Sequence, residues 1–201
     1  IANPVFTAPL EGSYMLTVTV NDINLNHTTD TLWVTVHPNP MAEIAAGDTV
    51  VCAGSNLPLQ AVISGGSGVY SAYTWSGQTA PLSGTDITNP VFNSWLGGIY
   101  RLVFTVEDNN GCTANDSLTV FNDSPQASFN SDAVPGCSPL SVTFTNTSEN
   151  AVSYLWNFGD FTTSSLSDPE HIFSNTTTSV QYFNVQLTAI STNNCMHTSN
   201  D

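Results

Sequence analysis

The chain is 201 residues long and carries sixteen acidic side chains against one Arg and no Lys, a formal charge of −15 at pH 7. Nothing basic is available to neutralise phosphates, which argues against nucleic acid or an anionic membrane as partner. An apolar share of 40% is ample for packed cores and excludes a disordered acidic tail, while a charged share of only 8% leaves Ser, Thr and Asn to supply most of the polarity. No run approaches the roughly 18 apolar residues of a membrane span, and no basic-then-apolar leader is present, so no membrane insertion is expected within this segment.

The first elements alternate with period two. Asn3-Pro4, like Asn89-Pro90, starts an edge or entering strand, because proline has no ladder donor. Tyr14, Leu16, Val18 and Val20 alternate with Met15, Thr17 and Thr19, and Leu32, Val34 and Val36 with Thr31, Trp33 and Thr35, the pattern of half-buried antiparallel strands. Trp33 occupies the outward phase of its strand. These residues then recur. Residues 1–36 lie over 87–122 at an offset of 86 (87 − 1), so that Asn3, Pro4, Phe6, Tyr14, Leu16, Val20 and Asp22 meet Asn89, Pro90, Phe92, Tyr100, Leu102, Val106 and Asp108. A weaker third copy follows at an offset of 83 (183 − 100), placing Phe183, Leu187, Ala189 and Cys195 on Tyr100, Phe104, Val106 and Cys112.

A fixed period near 85 residues means a tandem array of small domains. The expected division is residues 1–38 as the C-terminal part of one repeat, 39–122 as a complete repeat, and 123–201 as a repeat lacking its last strand, with Asn122–Gln126 a short linker. Ile1 falls just ahead of a late strand and Asp201 just after a turn, which implies a far larger parent polypeptide.

Within the later repeats, turn chemistry separates the strands, as at Ser64-Gly65-Gly66-Ser67-Gly68, Asp108-Asn109-Asn110-Gly111 and Ser124-Pro125. Leu140, Val142 and Phe144 alternate with Ser141, Thr143 and Thr145, and no helical pattern is present. Trp75 and Trp156 each follow a Tyr by two positions in a short strand, where a large ring fills the centre of a two-sheet core. Gly159 and Asp160 close the second of these strands in a turn whose carboxylate can accept backbone N–H bonds. The fold class expected is all-β, with about seven strands per repeat in tandem immunoglobulin-like sandwiches.

Tyr154-Leu155-Trp156-Asn157-Phe158-Gly159-Asp160, then Asp168-Pro169-Glu170-His171-Ile172-Phe173, then Phe183-Asn184-Val185-Gln186-Leu187-Thr188-Ala189, resembles the PKD domain, whose pattern runs W-x-F-G-D-G, N-P-x-H-x-Y and G-x-Y-x-V-x-L-T-V. Phe161 stands where the second glycine is usual. Residues 41–122 are more divergent. Trp75 takes the place of Trp156 without the F-G-D, and Tyr73-Thr74-Trp75-Ser76-Gly77 and Asp108-Asn109-Asn110-Gly111-Cys112 resemble repeats of very large bacterial gliding and adhesion proteins. The resemblance implies a seven-stranded sandwich used extracellularly, at the cell surface, as a spacer or adhesive module in many tandem copies. It implies no catalytic residues, and His171 falls at the family's structural histidine.

Cys52, Cys112, Cys137 and Cys195, two per later repeat at matching places, suggest disulfides and an oxidising compartment. Gaps of 60, 25 and 58 residues (112 − 52, 137 − 112, 195 − 137) provide none of the close ligand pairs of a zinc site. Two connectivities compete. Similar loop lengths suggest Cys52–Cys112 and Cys137–Cys195. In an immunoglobulin-like sandwich, however, the first connection and the last hairpin lie at opposite ends, roughly 23 Å apart, whereas a disulfide needs Cα atoms within about 7 Å. That favours Cys52–Cys195 across a domain junction, with Cys112 and Cys137 pairing to further repeats.

Asp22, Glu107, Asp108, Asn109 and Asp116 are hard oxygen donors of the kind that gather at domain ends, so a calcium site there is one expectation, although no D-x-D-x-D-G spacing exists and no cofactor is required. Asn26, Asn115, Asn122, Asn146 and Asn175 open N-x-S/T sequons. No G-x-S-x-G, H-E-x-x-H or phosphate-cradling loop appears, and Glu107-Asp108 are neighbours on a turn, so catalysis is not expected. Two functions remain. One is a structural or adhesive segment of a large extracellular repeat protein, a surface filament or adhesin stalk whose partners are neighbouring repeats and other copies in a fibre. The other is a glycan- or protein-binding accessory module of a secreted hydrolase, for which Trp33 and Trp95 are the candidate ligand-facing aromatics.

Overall fold

A computed structural model describes residues 3–200, all of it strand, turn and loop. Ile1 and Asp201, on which the expectation of a larger parent rested, lie outside the described residues.

Strands β1 (Gly12–Asn21) and β2 (His27–Val36) form an antiparallel hairpin with Tyr14 opposite Val34 and Leu16 opposite Leu32. The alternation places these apolar side chains on one face. Asn3-Pro4 does not open a strand here. Its repeat counterpart, Asn89-Pro90, leads into a strand that pairs with a partner, and residues 5–6 have none.

The next strands are β3 (Pro40–Ile44), β4 (Thr49–Cys52), β5 (Leu57–Pro58), β6 (Ala61–Gly65), β7 (Tyr70–Gly77), β8 (Val91–Phe92), β9 (Gly98–Asp108) and β10 (Thr113–Asp123). One sheet runs β4-β10-β9-β7, with β4 parallel to β10, and the pairs β3–β6 and β5–β8 pack across from it. Trp75, Leu102, Phe104, Val106, Leu118 and Val120 from the first layer meet Ile44, Leu59, Ala61 and Phe92 from the second. The Trp75 ring lies 5.1 Å from that of Phe104, and its indole N–H donates to the Ile87 carbonyl at 2.8 Å.

A second sandwich comprises β11 (Phe129–Ser131), β12 (Leu140–Asn146), β13 (Ser153–Asn157), β14 (Thr163–Ser164), β15 (Glu170–Phe173), β16 (Gln186–Ile190) and β17 (Met196–Asn200), arranged as β11-β12-β15 facing β14-β13-β16-β17. The last strand, expected to be missing, is begun: β17 pairs with β16 from Ile190–Met196 to Gln186–Asn200. Its core is aromatic, with Trp156 at the centre and Phe129, Phe144, Phe158 and Phe173 around it.

Candidate functional site

The repeat continues into hydrogen-bonding detail at the turn of each closing hairpin. The Asp22 carboxylate accepts N–H bonds from Asn24 and Asn26 at 2.8 and 2.9 Å. At the equivalent turn Asp108 accepts them from Asn110 and Cys112, both at 2.9 Å. In the third copy the Ser191 hydroxyl takes the role, accepting from Asn193 and Cys195 at 3.2 and 3.1 Å. Each turn also places one residue in the left-handed region, Leu25, Gly111 and Asn194 in turn, which makes a short loop compatible with strand twist. Asp108 is buried, and burial raises its pKa. The N–H donors of Cys112, Ser67 and Asn110, together with the field of His37, outweigh that and hold its carboxyl below the usual value. The Asn26 side-chain amide, with the Asn24 and Asn26 N–H groups, lowers Asp22 likewise.

Residues leaving one unit act on the turn of the next. His37 follows β2 and contributes to the Asp108 environment. Eighty-six positions on (123 − 37), Asp123 ends β10 and reaches the Ser191 turn, accepting from the Ser191 hydroxyl and the Asn193 amide, both at 2.7 Å. At one junction the linker is basic and the turn acidic, and at the other the linker carries the carboxylate and the turn the hydroxyl. Only the second linker closes a hydrogen-bonded pair with the following domain.

The second junction is also covalent. Cys52, at the end of β4, is disulfide-bonded to Cys195 with Cα atoms 5.3 Å apart. Cys112 and Cys137 are free thiols, so neither sandwich is closed by its own pair of cysteines. Around the bond, Ala53 N–H donates to the Asp123 carbonyl and Gly54 N–H to the Ser94 carbonyl, both at 2.8 Å. Beyond the linker, Ala127 N–H donates to His197 Nδ1 at 3.0 Å.

A crevice of about 810 Å³ opens between the two sandwiches beside this bond, lined in part by Trp95, Asn122, Asp123, Gln126, Asn150 and Asn193. Trp95 is 79% exposed yet rests flat against Gly54, where a Cβ would stand within 2.5 Å of the ring. Trp33, 64% exposed, lies on β2 of the two-stranded hairpin sheet, whereas Trp95 lies in the loop between β8 and β9, so the two tryptophans form no aromatic row. Asn122 is 1% exposed and donates its amide to the Ser94 and Leu96 carbonyls, both at 2.8 Å, while its Oδ1 is buried without a partner. Its sequon is therefore closed to modification, unlike those of the exposed Asn26 and Asn115.

The residues expected to hold calcium are not brought together. Among the described residues no three His, Cys, Asp or Glu side chains form a group that could hold a metal ion. Asp22 and Asp108 belong to different hairpins, and Asp116 accepts the Ile44 N–H at 2.7 Å. These carboxylates accept backbone N–H donors.

In the second sandwich β13 ends at Asn157 and is followed by Phe158-Gly159-Asp160. His171 stacks on Phe158 at 4.1 Å and its Nε2 meets the Asp160 carboxylate at 2.8 Å. Burial acts to raise Asp160, but the Thr162 hydroxyl, His171 and the Thr162 N–H together lower it. The W-x-F-G-D turn and the later histidine thus form one packed unit. Residues 122–201 match the PKD domain.

No curated protein matches the chain. Among solved structures it is similar to protocadherin gamma B7 extracellular cadherin domains 1-4, at 12% identity and a TM-score of 0.38 over 94% of this chain and 56% of that one. It is also similar to a Ca2+-stabilized adhesin of an ice-binding Antarctic bacterium, at 14% and 0.42 over 94% and 55%. Human CDH23 EC21-23 gives 14% and 0.42 over 94% and 72%. The chain spans little more than half the length of the first two. What sequence reading missed beside the PKD domain is the Asp123 clamp. Its signal was the alignment of Asp123 with His37, the two linker positions, which lie outside the apolar pattern.

Proposed function

We propose that this chain is a spacing segment of a large extracellular surface filament or adhesin stalk, whose successive sandwiches are locked end to end. The observation that carries this is the Cys52–Cys195 bond between the two sandwiches, backed by the buried Asp123 clamp on Ser191 and Asn193. A structural disulfide persists in oxidising surroundings, which supports a place outside the cell. The PKD match supports an extracellular adhesive or structural repeat module. Small-angle scattering of the oxidised chain should give a narrow distribution of inter-sandwich geometries that broadens on reduction combined with Asp123→Ala. Equal, broad distributions in both states would overturn the locked spacer.

The crevice beside the bond favours a second reading, a glycan- or protein-binding accessory module. It offers an exposed indole, suited to stacking on a sugar face, among amide side chains that can bond hydroxyls. Titration with an array of neutral oligosaccharides decides it: saturable binding lost in Trp95→Ala supports this reading, and no binding removes it.

A further inference from the structure

The β1–β2 hairpin is a copy of β9–β10 in everything except its cover. The two pair in the same register, Gly12 with Val36 and Gly98 with Asn122. Tyr14 donates its hydroxyl to the Leu10 carbonyl at 2.7 Å, as Tyr100 does to Leu96 at 2.8 Å. Phe6 meets Tyr14 edge-on at 5.3 Å, as Phe92 meets Tyr100 at 5.0 Å. Yet Phe104, Val106 and Leu118 are buried, whereas their counterparts Val18, Val20 and Leu32 are 59%, 60% and 62% exposed. In the complete sandwich that face is covered by β3, β6 and the segment up to β8. A second observation concerns Cys112. Its counterpart Cys195 is bonded to Cys52, in the first connection of the preceding unit, while Cys112 is free. At the earlier junction the chain leaving β2 lies against the loop that Asp108 of the Cys112 turn holds, Gly66 N–H donating to the Asn39 carbonyl at 3.2 Å and Ser67 N–H to Asp108 at 2.8 Å, while Asp123 lies against the Cys195 turn, so in both the linker meets the closing turn of the next unit.

We infer that the exposed face of β1–β2 and the thiol of Cys112 are two contacts for one partner: a half-sandwich of the same repeat type, preceding the hairpin in the same polypeptide, with a cysteine in its first connection. It supplies the apolar layer that residues 40–92 supply in the complete repeat. Its cysteine closes the bond to Cys112, two thiols giving one disulfide with two electrons and two protons passing to a thiol-disulfide oxidant. This rests on the tandem-array reading.

The test extends the full chain at its N-terminus by a copy of residues 39–86, which meets Ile1 as residue 86 meets Ile87. Amide exchange in β1–β2 should slow by about a hundredfold or more, toward that of β9–β10. After oxidation with a glutathione couple, Cys112 should resist iodoacetamide and appear in a non-reducing map linked to the copied cysteine. A second extended chain with Ser in place of the copied cysteine should keep the exchange protection and lose the link. An unprotected hairpin, or a Cys112 that stays alkylatable or bonds elsewhere, overturns the inference. Scattering of the same chain separates the two readings. A link at Cys112 with broad inter-sandwich geometry sinks the spacer alone, and a free Cys112 with a rigid Cys52–Cys195 junction sinks this inference alone.

Discussion

The two sandwiches solve the same problem at the end of their tryptophan strand with different materials. In both, the indole N–H is tied to a loop carbonyl, Ile87 for Trp75 and Leu166 for Trp156, at 2.8 and 2.9 Å. In both, a glycine with positive φ closes the strand against the neighbouring backbone. A Cβ on Gly77 would stand 2.3 Å from the Arg101 carbonyl oxygen, and one on Gly159 2.7 Å from that of Asn184. Only the PKD domain adds the Phe158–His171 stack and the His171–Asp160 bond. The glycine is dictated by the backbone's close approach and recurs. The clamp is an additional packing device, and the middle repeat holds its core without it.

Four experiments sharpen or break this contrast. The largest effect is expected from removing the central ring: Trp156→Ala should cost about 3–5 kcal/mol in urea unfolding, since the Phe129, Phe144 and Phe158 rings border the space left behind. Trp75→Ala should cost no more, its core being mostly aliphatic. A larger loss at Trp75 would reverse the ranking. Next, Gly77→Ala and Gly159→Ala should each destabilise by about 2 kcal/mol or more, through positive φ and backbone collision together. A neutral result at either site would show that the strand end can shift.

Acid should come third. The folded Asp160 carboxyl lies below its unfolded value near 3.9, so its contribution is complete above that pH and is lost as pH falls through the folded value. Asp108 follows the same sign in the middle repeat. Asp160→Asn should flatten the acid limb of the PKD domain and leave that of the middle repeat in place, read by tryptophan fluorescence in Trp75→Phe and Trp156→Phe backgrounds. The smallest effect concerns trypsin. Arg101, the single basic site, sits in β9 opposite Thr119, with its N–H on Gln78 Oε1 at 2.8 Å. Native cleavage should be negligible over hours, and rapid cutting there would show that the middle sandwich opens locally far more easily than its packing implies.

The strands were legible because period-two alternation writes itself directly into the chain, and the offset of 86 carried the pairing register of β9–β10 over to β1–β2 without error. Of the two competing connectivities, topology favoured the Cys52–Cys195 pairing that the fold contains, since the first connection and the last hairpin of one sandwich lie far apart. What a carboxylate faces was not legible, because acidity alone does not specify it. Asp22 and Asp108 face the N–H groups of their own turns. The Ser191 turn was hidden for a related reason: a hydroxyl replaces the carboxylate, and the charge reappears at Asp123, 68 residues earlier in the chain. Only the folded junction reunites them.

The Cys52–Cys195 bond also sets how far this segment can be drawn out. Its sequence separation of 143 residues encloses nearly all of both sandwiches in a covalent loop. At roughly 3.5 Å per extended residue, about 500 Å of contour length lies inside that loop and out of reach of a pulling force. A load applied through the chain passes from Cys52 to Cys195 through the sulfur atoms, and the sandwiches between are relieved of it. Unfolding them would lengthen the molecule very little until a reductant cut the bond. The junction acts as a mechanical bypass whose extensibility is under redox control.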